Sequence, residues 1–170
     1  MRALSPEDEF IAVIDQHKGL IYKIANSYKK DGDDRKDLVQ EIIFQLWRSF
    51  HSFNRQSQVS TWMYRVALNV SISSYRKDKR EAARRLPFSE NMLEFSAPEM
   101  QIETEQNLWL LQQFINELNR LDKALMLLYL EDKNGKEMAE ILGLSETNVR
   151  TRINRIKGKL KQRFSTINTY

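Results

Sequence analysis

"MAEILGLSETNVRTRINRIKGKL", residues 138–160, is the stretch that decides how the rest of the chain is read. It runs from a small Ala139 through Gly143, Leu144 and Ser145 to Val149 and Ile153. That order is a helix-turn-helix signature. Ala139 is small enough for two helices to cross closely, and Gly143 accepts the positive φ that ends the first of them. Ser145 offers its hydroxyl to the open N–H groups of the second. Val149, Ile153, Ile156 and Leu160 recur at helical spacing and hold that second helix against a core.

Its remaining faces carry Arg150, Arg152, Arg155, Lys157, Lys159, Lys161 and Arg163. A recognition helix meets base edges in the major groove with its early turns. Those turns present Thr147, Asn148, Thr151 and Arg152, with Arg150, Arg155 and Lys157 placed to steady phosphates. A basic helix face can also be merely solvated. The turn chemistry is what favours DNA.

Upstream, "LSPEDEF" supplies an N-cap Ser5, Pro6 at the first helical position and acids in the first turn. Helical spacing then carries to about Lys29, where "KKDGDD" breaks it. A second helix, "RKDLVQEIIFQLWRSF", buries Leu38, Val39, Ile42, Ile43, Leu46, Trp47 and Phe50 on a broad stripe. "HSFNRQSQ" reads as a polar loop, and Ser60 can cap a long third helix from about Thr61 to Arg85. Residues 86–107 contain no Lys or Arg but five Glu and two Pro, which reads as an extended acidic linker. Beyond it, "NLWLLQQFINELNRL" and "DKALMLLYLED" lead into the helix-turn-helix. The expected architecture is all-α: two small helical domains, 1–85 and 105–170, on a flexible linker at 86–104.

Composition narrows the function. Apolar residues make up 41% of the 170 and charged residues 29%, the balance of a globular chain. With no Cys, disulfides, thiolate metal sites and cysteine nucleophiles are excluded, and His17 and His51 form no ligand spacing. No metal or cofactor is expected. The acidic start "MRALSPEDEF" is no secretory signal, and no apolar run approaches the ~20 residues that span a bilayer. A cytoplasmic chain with no membrane insertion of its own is expected.

Two further stretches carry chemistry. The second helix has a polar face of Asp37, Gln40, Glu41, Phe44 and Arg48. The third contains "STWMYRVALN" (60–69), where Met63, Val66, Ala67 and Val70 share an apolar face. Trp62, Arg65, Asn69, Ile72 and Arg76 lie on another face, at steps of three and four residues. An amide can donate and accept along a base edge, and arginine can grip phosphate. Base–aromatic stacking is worth about 1–3 kcal/mol per base, comparable with the few kcal/mol needed to extrude one. The basic run "YRKDKREAARR" after it suits a phosphate path.

"DLVQEIIFQLW", then "STWMYRVALN", a basic stretch, an acidic linker and the helix-turn-helix follow in an order that resembles the extracytoplasmic-function (ECF) sigma factors of the bacterial sigma-70 family. The resemblance covers about residues 8–164. It implies a promoter-specificity subunit of RNA polymerase rather than an enzyme. Region 2 would bind the polymerase clamp and open the −10 element, and region 4 would read the −35 element as duplex. Asp37, Gln40 and Glu41 match the family's "DLxQE" clamp contact. Phe44 stands one position after the usual aromatic, where this chain has Ile43.

By the same resemblance, Trp62 matches the tryptophan of "TWLYRIA", with Met63 in place of Leu, and Asn69 matches a position that lines a pocket for a flipped-out base. The implied −10 set is Trp62, Arg65, Asn69, Arg76, Lys77, Lys79 and Arg80. The −35 set is Ser145, Thr147, Asn148, Arg150, Thr151, Arg152, Arg155 and Lys157. Implied partners are core polymerase (clamp and flap regions), promoter DNA and an anti-sigma factor, which many members have. Two other classes stay open on the residues alone. One is an ordinary helix-turn-helix regulator with residues 1–85 as effector domain. The other is an enzyme, for which no nucleophile, metal or phosphate-loop motif speaks.

Overall fold

The computed structural model describes residues 4–84 and 102–167, and gives the backbone alone at 75, 76, 78–84 and 102–104. The described residues form seven α-helices and no strand. Helix α1 (Pro6–Tyr28) starts where the sequence places it, with the Ser5 hydroxyl accepting the Asp8 N–H at 3.1 Å. It ends where Lys29 turns to extended backbone and its N–H closes on the Ala25 carbonyl. The carboxylate of Asp31 then caps α2 (Gly32–Phe50), accepting from the N–H groups of Asp33 and Asp34 at 2.9 and 3.1 Å. The Asp34 and Asp33 N–H groups hold the Asp31 carboxyl below its ordinary pKa. Helix α3 (Val59–Arg84) completes a three-helix bundle around Ile21, Ile24, Ile42, Leu46, Met63 and Ala67. Each fully buried Ile or Leu contributes about 1.5–3 kcal/mol by leaving water.

One end of this bundle is closed by aromatic rings. Phe10 meets Trp47 and Phe50 edge-on at 5.0 and 5.3 Å between centroids. Phe53, from the stretch read as a polar loop, folds back and stacks on Trp62 at 4.9 Å.

The second half comprises α4 (Ile102–Glu117), α5 (Arg120–Leu130), α6 (Gly135–Leu142) and α7 (Glu146–Ile167). Helix α4 begins at Ile102, inside the stretch expected as linker. Glu105, the fourth residue of the helix, agrees with this, because acids are favourable near a helix N-terminus. The rest of that expected linker, 86–101, lies outside the described residues. Asn119 caps α5, and Asn134 with Glu137 forms a reciprocal capping box on α6, both bonds at 2.9 Å. Gly143 ends α6 at φ 66°, and the Leu144 N–H donates to the Ala139 carbonyl at 3.0 Å. The Ser145 hydroxyl then accepts the Asn148 N–H at 3.1 Å and opens α7. The turn therefore forms as its sequence predicts. Leu125, Leu128, Ile141, Val149 and Ile156 fill the core between α5, α6 and α7.

The halves also meet. Helix α3 packs on α5 and α6 as well as on α1 and α2, and the buried residues of both halves form one continuous cluster. No described helix is long and apolar enough to cross a membrane.

Candidate nucleic-acid interface

Helix α7 presents the predicted reading surface to solvent. Ser145, Thr147, Asn148, Arg150, Thr151, Arg155 and Lys157 are all exposed, because Val149, Ile153 and Ile156 turn the opposite face inward. The Thr151 hydroxyl donates back to the Thr147 carbonyl at 2.9 Å, leaving its oxygen able to accept. Lys157 lies over the Tyr129 ring, 4.6 Å from its centroid, a cation–π contact that fixes the ammonium at the helix surface.

Arg152 behaves differently from its neighbours. Its Nη1 donates to the Asp122 carboxylate at 2.9 Å, and its Nε donates to the Asn148 side-chain oxygen at 3.0 Å. Asp122 is largely buried at the start of α5, so the pair ties α7 to α5. The expected base-reading Arg152 is thus half-buried, and it orients Asn148 rather than standing free. A second clamp, between Arg163 and Glu117, joins α7 to α4 with bonds of 2.6 and 3.1 Å.

On α2, Asp37, Gln40, Glu41, Phe44 and Arg48 form the exposed stripe that the spacing predicts. Phe44 is 53% exposed, with the Arg48 guanidinium 5.8 Å from its ring centroid. An uncovered aromatic between acids and an amide is a surface suited to a protein partner.

Helix α3 divides in a way its spacing alone does not predict. Trp62, one of the implied −10 residues, is 8% exposed and packs against Phe53 and Phe50. The folded-back Phe53 supplies a second apolar wall. Asn69 is exposed, and its side chain has no hydrogen-bond partner among the described residues. Lys77 is exposed further along, while the side chains of Arg76, Lys79 and Arg80 lie outside the described residues.

Tyr64 and Arg65 point at the second half. Arg65 Nη2 donates to the Glu140 carbonyl at 3.1 Å and lies 3.8 Å from its carboxylate. The Tyr64 hydroxyl reaches the Glu131 carboxylate at 3.5 Å, and Lys23 pairs with the same acid. Burial, and then the charge of Glu131, push the Tyr64 hydroxyl up to about 12. Nearby, the Tyr28 hydroxyl donates to the Arg120 carbonyl at 3.0 Å, and Lys123 donates to the Ser27 carbonyl at 3.2 Å. Burial, followed by the charge of Lys30, lowers the pKa of Lys123. This seam escaped the sequence reading because the partners stand between 67 and 108 residues apart, beyond any local pattern. Among the described residues, no group of three or more His, Cys, Asp or Glu could hold a metal ion.

The fold and these surfaces define a class: an all-helical protein with a helix-turn-helix whose second helix exposes a basic face, and with an exposed aromatic stripe on α2. Comparison with known proteins narrows it. Residues 13–81 match the family model "Sigma-70 region 2" and residues 108–160 match "Sigma-70, region 4". The ECF RNA polymerase sigma factor SigM of Bacillus subtilis is 29% identical over 148 residues, spanning 83% of this chain and 86% of that one. SigW of the same organism is 25% identical over 166 residues, 92% of this chain and 89% of that one.

Among solved structures, RpoE in complex with the anti-sigma factor NepR from Bartonella quintana superposes with a TM-score of 0.68 at 20% identity. That match covers 92% of this chain and 94% of the other. CnrH in complex with the cytosolic domain of CnrY gives 0.64 at 20% identity over 92% and 88% of the two chains. These two likenesses speak to the fold. The chain belongs to the ECF sigma factors of the sigma-70 family, the RNA polymerase subunits that direct transcription initiation at promoters.

Proposed function

We propose that residues 1–85 act as region 2 and 105–170 as region 4, joined by the acidic linker of 86–104. In this reading the polymerase clamp docks on Asp37, Gln40, Glu41 and Phe44. Region 4 reads the −35 element as duplex through Thr147, Asn148 and Thr151, with Ser145 at the turn. Arg150, Arg155 and Lys157 hold phosphates, and Arg152 steers Asn148. Region 2 takes the opened −10 strand, with Asn69 contacting an extruded base, and Arg65, Arg76, Lys77, Lys79 and Arg80 serving its backbone. Trp62 supports that surface from beneath. The observation that carries this reading is the pairing, in one chain, of the exposed α7 face with an exposed Asn69 whose amide is committed to no other described residue.

The polymerase flap is the proposed partner of the second half, where Leu108 and Trp109 stand exposed beside an apolar groove walled by Leu111, Leu160 and Phe164. An anti-sigma factor is a further proposed partner, as the Bartonella quintana relative was solved with one. Such work places the chain in the cytoplasm, with no catalysis of its own.

Reconstitution with bacterial core polymerase tests the reading. Promoter-specific, salt-sensitive transcripts are expected, with Asn69→Ala reducing promoter opening more than core binding. Tight operator binding by the chain alone as a dimer, with no response to core polymerase, would instead mark an ordinary helix-turn-helix regulator.

A further inference from the structure

Asn69, Ser73 and Lys77 stand one helical turn apart on α3, all exposed, and line one wall of a groove of about 870 Å³. The opposite wall is α2, which contributes Asp34, Asp37 and Glu41. The residue assigned above to a base and two residues assigned to the polymerase therefore face a single groove. Its volume lies in the ~300–1,000 Å³ range of ligand pockets, and Val66 and Val70 provide an apolar floor for a planar base.

Among the described side chains, the charges on its two walls are not matched. Among the described residues no Lys or Arg pairs with Asp34, Asp37 or Glu41, and Glu41 accepts from the Gln45 side-chain amide at 2.8 Å. Among the described side chains, Lys29 and Lys77 are the groove's cations, and Lys77 lies two turns from Asn69 along α3. A single strand carries a negative phosphate at every nucleotide. Strand and carboxylates therefore repel wherever the base reaches Asn69, and the repulsion falls when a basic surface covers α2.

We infer that the opened strand lies in this α2–α3 groove, with Ser73 a further strand contact beside Asn69, and that the α2 carboxylates bar the strand until polymerase neutralises them. Ser73 suits the role because its hydroxyl both donates and accepts, one turn from the Asn69 amide. Asp37 and Glu41 then have two effects from one position: they attract the basic partner and they keep the free factor off single-stranded DNA. The inference rests on the assignments proposed above for Asn69 and the α2 stripe.

The experiment measures fluorescence polarisation of the full chain with a labelled single strand. That strand carries the −10 sequence of a promoter the reconstituted polymerase transcribes, and a scrambled strand serves as control. Asp37→Asn combined with Glu41→Gln should raise the free chain's affinity for the promoter strand about 3- to 10-fold at low salt, with the gain shrinking as salt rises. Adding Ser73→Ala or Asn69→Ala to that pair should return affinity toward the scrambled-strand value. All four positions are exposed, so matching thermal melts are expected.

No gain from the charge pair, or a gain untouched by changing Ser73 and Asn69, overturns the inference. Wild-type chain with core polymerase is the separate control. Absence of promoter-strand capture there overturns the sigma-factor assignments themselves. Normal capture with a flat response to the charge changes overturns only the shared groove.

Discussion

The guanidinium of Arg65 donates to the backbone carbonyl of Glu140 at 3.1 Å, joining the second turn of α3 to the first helix of the helix-turn-helix. One arginine thus serves as a lock between halves whose separate surfaces are assigned to two promoter elements. While it holds that carbonyl part of its donor set is committed, so the seam and the strand contact proposed for Arg65 draw on the same group. Arg65→Met keeps the apolar stem and removes the donors. It should loosen the seam by about 0.5–1.5 kcal/mol, the net worth of an ordinary hydrogen bond. Faster amide exchange in α6 and the start of α3 is the expected readout. Unchanged protection there would show that the contact contributes nothing to holding the halves.

Trp62 should behave as a core residue. Trp62→Ala removes a ring stacked on Phe53 and tilted against Phe50, at a cost of about 3–5 kcal/mol. Trp62→Phe should lose much less, with promoter opening following thermal stability across the two variants. Opening that collapses in a fully stable Trp62→Phe chain would return the indole to the DNA surface.

Helix α7 offers a division between affinity and specificity. Arg150→Ala and Arg155→Ala should each lower the salt slope of −35 binding by about 1, with base preference unchanged. Asn148→Ala should relax preference at one base position. Arg152→Ala should resemble Asn148→Ala and also lower stability, since it breaks the bond to the partly buried Asp122. Salt titrations of holoenzyme reconstituted with each variant, on promoters altered at single −35 positions, separate these outcomes.

The seam tyrosines predict an alkaline limb. The Tyr64 hydroxyl is pushed up to about 12 by burial and the charge of Glu131, and burial also raises Tyr28. In the unfolded chain both titrate near ~10. Below that pH neither state ionises them, and their contribution to stability is fully present. As pH rises from about 10 towards 12 the unfolded chain gains charge that the folded chain resists, so the contribution is lost. Melting temperature should therefore fall over this window, and fall less steeply in Tyr64→Phe. Parallel declines in the two proteins would place Tyr64 outside the linkage.

Much of this molecule is legible along the chain. Ser5, Asp31, Asn134 and Ser145 begin helices because their side chains satisfy nearby N–H groups, a bond made within four residues and so written locally. Gly143 ends α6 for an equally local reason, its φ of 66°. The exposed stripe on α2 and the reading face of α7 follow from helical period, because each helix has one face buried and the opposite face left to solvent.

Helix α3 exceeds that reach. Period tells which residues share a face, but not how many faces will be covered, and α3 is covered by α1 and α2 on one side and by α5 and α6 on another. Hence Trp62 became core when Phe53 folded back, and Tyr64 and Arg65 became seam when Glu131 and Glu140 arrived. Arg152 met Asp122 from thirty residues upstream. The sequence by itself determined the helices, their caps, the turn and the chemistry available on each face. Only the tertiary structure decided which of those faces meet one another, because burial depends on partners that are distant along the chain.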